Sequence, residues 1–81
     1  MIVYHVTNHL NEIIKYGKIK PCRLKSIYVF RDRNDAEFYK TEFGLSDIIE
    51  CVIESKQIES RWQASYGYVI KLKENETINL N

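Results

Sequence analysis

A histidine and a threonine two residues apart, His5 and Thr7, stand in the run Ile2-Val3-Tyr4-His5-Val6-Thr7. The run alternates as a strand must, with Ile2, Tyr4 and Val6 on one face and Val3, His5 and Thr7 on the other. An imidazole and a hydroxyl therefore project the same way, a hydrogen-bonding pair in fixed geometry. The plainer roles for these residues are a histidine hydrogen-bonded inside a small sheet and a threonine capping the helix that follows. Trp62 beside Arg61 has the composition of an interface anchor, or of a lid over the core. Cys22 and Cys51, with only His5 and His9 to join them, show no ligand spacing, so no metal site is expected and both thiols are read as structural.

The elements that must position these residues follow from periodicity. After the first strand, Leu10, Ile13 and Ile14 recur at helical spacing behind the candidate caps Thr7 and Asn8, and Gly17 stands where a left-handed C-cap would. Pro21 holds Lys18 to Lys20 extended. Ile27 to Phe30 is a strand too apolar for a free edge. Asn34 and Glu37 have the spacing of a capping box, which predicts a second helix over about Asp35 to Phe43, stopped by Gly44. Strands are expected at Asp47 to Glu54 and Tyr66 to Leu72, with a short last one in Thr77 to Leu80. The order β-α-β-α-β-β-β predicts one α+β domain over 1–81, a small mixed or antiparallel sheet with two short helices segregated from the strands.

A chain of 81 residues makes one modest core, and 44% apolar content suffices to fill it. The net charge of +1 conceals an asymmetry. From Lys15 to Arg33 every charged side chain but Asp32 is basic, and the segment from Asp35 to Glu59 reverses the sign. Such a stretch attracts phosphate, so nucleic acid is a possible but not a favoured partner, and a solvated face is the commoner use. No signal-peptide pattern and no apolar run long enough to span a bilayer are present, which predicts a cytoplasmic protein with no membrane partner.

Tyr4-His5-Val6-Thr7, the short helix, Gly17-Lys18-Ile19-Lys20-Pro21, Ser26 to Phe30 and Asp35-Ala36-Glu37-Phe38-Tyr39 together resemble the ADP-ribosyltransferase superfamily. The resemblance covers about the first half of the chain and implies a pared-down version of that fold with NAD as cofactor. It places His5 and Thr7 on the adenosine-side ribose and Tyr28 and Tyr39 on either side of nicotinamide, a flat cationic ring that gains from electron-rich faces. His5 and Tyr39 would be the catalytic pair, with Thr7, Tyr28, Arg31 and Arg33 binding the cofactor, the arginines at the pyrophosphate. A second branch of the superfamily grips an RNA phosphate with basic residues, a role that Arg23, Arg31 and Arg33 suit electrostatically.

The chain departs from the family where transferring members carry a later glutamate: the matching position inside Ser65 to Ile70 is Gly67, which has no carboxylate. Glu59, Glu74 and Glu76 are the acids nearest that strand in sequence. Two functions follow. One is a transferase that moves ADP-ribose from NAD to a macromolecule by stabilising positive charge on the ribose. The other is an inactive relative that occupies the surface of a protein partner, as a small inhibitor or anti-defence protein of a phage or other mobile element.

Overall fold

The computed structural model describes residues 1–21 and 25–80, so Cys22 and Arg23 lie outside the described residues. In chain order the elements are β1 (Ile2–Thr7), α1 (Leu10–Tyr16), β2 (Lys18–Ile19), β3 (Tyr28–Phe30), α2 (Arg33–Glu42) and β4 (Asp47–Val52). One turn of 3₁₀ helix, Ser55–Gln57, then leads into β5 (Ile58–Ala64), β6 (Gly67–Leu72) and β7 (Ile78–Asn79). The main sheet is five-stranded in the order β4-β1-β3-β6-β5, every pair antiparallel, and β2 with β7 forms a separate two-stranded ribbon. This is the expected α+β class, without a parallel crossover.

The helices do not share a face. The central strands bury side chains on both sides: Val3 and Val6 in β1, Val29 and Phe30 in β3, Val69 and Ile70 in β6. Such strands need cover above and below. Ile13 of α1, Ile19 of β2 and Ile78 of β7 close one core over Val3, Val29, Ile70 and Leu72. Ala36 of α2 packs into a second core with Val6, Phe30 and Val69, flanked by Tyr4, Tyr39 and Tyr66.

Gly17 ends α1 as its composition requires, in the left-handed region at φ 67°, its N–H bonded to the Ile13 carbonyl at 2.9 Å. The helix starts differently from expectation. Thr7 Oγ1 accepts from the His9 N–H at 2.9 Å and Asn8 Oδ1 from the Ser46 N–H at 2.8 Å, so neither side chain caps α1. Helix α2 also begins earlier than the sequence indicates. Asp32 Oδ1 accepts from the Asn34 N–H at 2.8 Å, which places the cap two residues upstream of Asn34, while Glu37 meets Arg33 at 3.8 Å.

Strand β5 was not anticipated. It lies at the sheet edge, paired to β6 in the register Arg61↔Ile70 and Trp62↔Val69, with Glu59 to Gln63 exposed on both faces. An outermost strand with solvent on both sides carries no apolar alternation to betray it. Among the described residues no helix is long and apolar enough to cross a membrane.

Candidate functional site

The sheet forks between two of its central strands. β1 pairs with β4 along its whole length, but with β3 it shares a single ladder position, Tyr4↔Phe30. Where Val6 would next meet Tyr28, no pair forms. His5 Nδ1 instead donates to the Tyr28 carbonyl at 3.0 Å, satisfying a backbone acceptor that the missing ladder leaves open. A carbonyl only accepts, so the proton is on Nδ1 and Nε2 carries the lone pair.

A cavity of about 560 Å³ fills this fork, within the size range of small-molecule sites. Its walls come from both cores, Ile13, Ile19 and Ile27 from one and Val6, Phe30 and Val69 from the other, as an opening between strands demands. His5, Thr7, Tyr28 and Tyr39, carried by β1, β3 and α2, all line it. Tyr28 meets Trp62 edge-on, ring centres 6.0 Å apart. Tyr39 packs on Phe30 at 5.0 Å, Phe43 at 4.6 Å and Tyr66 at 5.0 Å. The arrangement is an aromatic wall that gains from stacking a further flat ring.

Burial pushes the His5 imidazole below its ordinary value, and the bond to Tyr28 opposes this only in part. It is neutral at pH 7, a rigidly held acceptor at Nε2. The unfolded chain takes up the proton first, so stability attributable to His5 is present above about pH 6.5 and is lost as pH falls from there towards the lowered folded value. Urea unfolding of wild type and His5→Gln between pH 7.5 and 5.5 should show the steeper acid loss in wild type; equal slopes would contradict a neutral buried imidazole.

Thr7 is 6% exposed, and its hydroxyl already accepts from His9, which leaves the O–H proton as its donor to a ligand. The Tyr39 hydroxyl is held above its ordinary value by burial and then by the neighbouring Tyr66, so it stays protonated and donates. Buried Cys51 is pushed up to about 11 by burial and then by Glu50, which makes it a poor nucleophile at neutral pH.

Arg31 and Arg33 do not join this group. Tyr28 begins β3 and Arg31 follows its other end, roughly 10 Å of strand away. Both arginines line a separate hollow with Tyr4, Asp35 and Tyr68, where the Arg33 guanidinium lies 5.8 Å from the centre of the Tyr4 ring. Arg31 and Arg33 thus lie outside the cavity that His5 lines, with up to about three residues of extended chain between them and Tyr28.

Nor do the acids adjoining the strand reach the cavity. Glu59 is bonded to Lys71 at 2.7 Å, Glu74 lies 3.9 Å from Lys25, and Glu76 is absent from the lining. Gly67 faces Asp35, whose Oδ2 accepts from the Tyr68 N–H at 2.9 Å. Among the described residues Glu12 of α1 is the only acid on the cavity wall.

Several further residues line the cavity that neither spacing nor resemblance assigns to it. Trp62 and Tyr66 come from the β5–β6 hairpin, Tyr16 and Glu12 from α1, and Lys18 and Lys20 from β2 and its end. The lone tryptophan is a signal visible in the sequence, but the strand pairing that brings it to Tyr28 is not. A scan against protein-family models, a search of the curated proteins and a search of the solved structures each return no match for this chain.

Proposed function

We propose that the chain is an ADP-ribosyltransferase-like module that binds NAD in the forked cavity. Support comes from one convergence: His5, Thr7, Tyr28 and Tyr39, the four residues that the family resemblance assigns to ribose and nicotinamide, lie on three separate elements and meet around one cavity. The residues present suit the group. Neutral His5 accepts from a ribose hydroxyl at Nε2, Thr7 donates, and the Tyr28 and Tyr39 rings stack on a flat cation.

NAD supplies an activated bond between ribose and nicotinamide, and the protein's part is to orient that bond and exclude water. With no glutamate of the Glu59, Glu74 and Glu76 set on the wall, binding is proposed here and transfer of ADP-ribose is not. A catalytically silent module that acts on a protein partner is the second reading, favoured by the 38% exposure of Trp62 at the cavity mouth.

Trp62 is the only tryptophan in the chain, so its fluorescence reports occupancy directly. Titration with NAD should give saturable quenching, confirmed by calorimetry, and His5→Ala should weaken binding by about tenfold or more, the loss of one buried hydrogen bond. No quenching or heat at millimolar NAD would overturn the proposal and leave the protein-partner reading.

A further inference from the structure

The cavity is electrically lopsided. One wall is built from neutral aromatic rings of β3, α2, β5 and the β5–β6 turn, whereas its lysines stand together at the α1–β2 side. Lys18 and Lys20 both line the cavity, and between them in the chain Ile19 of β2 is 2% exposed and packs into the core. The strand is pinned in place by its pairing with β7, Lys18↔Asn79 and Ile19↔Ile78, and by the Leu80 N–H on the Gly17 carbonyl at 3.1 Å.

Lys20 Nζ rests 5.0 Å from the centre of the Tyr16 ring, which itself lines the cavity. Among the described residues neither lysine is in a salt bridge, and Glu12 is the only acid on the wall. Two ammonium-bearing side chains on one wall of the cavity, carried by a strand fixed in place, form a seat for a doubly charged anion.

We propose that Lys18 and Lys20 hold the pyrophosphate of the bound dinucleotide, so that it enters with its phosphates toward β2 and its flat cationic ring against Tyr28, Tyr39 and Trp62. This rests on the NAD reading of the cavity. It gives to β2 and its end the role that the family resemblance assigns to Arg31 and Arg33, and it gives the site a preference for phosphorylated over phosphate-free nucleosides.

The test uses Trp62 quenching by two probes, NAD and nicotinamide riboside, which keeps the ring and ribose but lacks the phosphates. The proteins are wild type, the double variant Lys18→Gln/Lys20→Gln, and the charge-preserving Lys18→Arg/Lys20→Arg, each checked for an unchanged thermal midpoint. The glutamine variant should bind NAD about tenfold more weakly, as expected for two solvent-facing ion pairs, with a flatter salt dependence. Its affinity for nicotinamide riboside should equal that of wild type, and the arginine variant should restore NAD binding.

Undiminished NAD affinity in the glutamine variant, with His5→Ala still impaired, would overturn the lysine assignment and spare the cavity reading. Equal weakening of both probes would show that the lysines shape the pocket and do not hold phosphate, which also overturns it. Failure of wild type to bind NAD at all would remove both proposals.

Discussion

Gly67→Glu is expected to unfold the domain and not to supply it with a catalytic carboxylate. Gly67 is buried at the start of β6 with φ +131°, a region that side-chain-bearing residues rarely adopt. A Cβ there would lie 2.3 Å from Asp35 Cγ and 2.4 Å from Asp35 Cβ, closer than real atoms approach. Relief requires Asp35 to move, which breaks its 2.9 Å bond to the Tyr68 N–H and loosens α2 from the hairpin.

Backbone strain of about 1–3 kcal/mol and loss of a hydrogen bond to a charged acceptor, about 1.5–3 kcal/mol, together approach the whole stability of a domain this small. Urea denaturation should place the Gly67→Glu midpoint far below wild type, with Gly67→Ala between them. Adding Asp35→Ala to Gly67→Ala should recover little of the loss, since the Asp35 Cβ, 2.4 Å from the new atom, remains and the bond to the Tyr68 N–H is gone. A Gly67→Glu protein as stable as wild type would show that the turn relaxes freely, and a glutamate at this position would then be open to test for transfer.

Phe30→Ala should cost about 3–5 kcal/mol, the range for truncating a buried phenylalanine. Phe30 is 3% exposed, sits opposite Tyr4 and Val69, and stacks on Tyr39 at 5.0 Å and Tyr66 at 6.1 Å. Its removal opens the second core at the cavity wall and leaves Tyr39 and Tyr66 packed only on each other and on Phe43 among these rings. Phe30→Leu retains most of the volume and should cost less than about 1.5 kcal/mol while keeping the fold. Denaturant midpoints decide between them; a loss under about 1 kcal/mol for the alanine variant would mean that the aromatic wall repacks, and that its geometry is not held by Phe30.

Much of the secondary structure is legible from neighbouring residues alone. The alternation of Ile2 to Thr7 places His5 and Thr7 on one face, Gly17 stops α1, and the unbroken apolar run Ile27 to Phe30 marks a strand with neighbours on both sides, as β3 has between β1 and β6. These features depend on local geometry: the period of the strand, the left-handed cap, the need of a doubly buried strand for apolar side chains facing both ways. The convergence of His5 with Tyr28 and Tyr39 was legible only through resemblance, since no periodicity links positions so far apart.

The tertiary structure decided what adjoins what. Strand β5 becomes a strand because β6 offers it an edge, although its central residues Glu59 to Gln63 are largely exposed. That pairing swings Trp62 against Tyr28. Arg31 and Arg33, close to Tyr28 in sequence, fall at the far end of β3 because extended chain separates successive residues by about 3.3 Å. Lys18 and Lys20, expected only to lie on extended chain before Pro21, reach the cavity through the ribbon that β2 makes with β7, some sixty residues later in the chain. The fork itself arises from the single ladder position shared by β1 and β3 and the imidazole inserted after it. Local composition determined the strands, the cap and the faces their side chains take; long-range pairing decided the cavity, because the free energy of closing those pairs depends on partners that no local window contains.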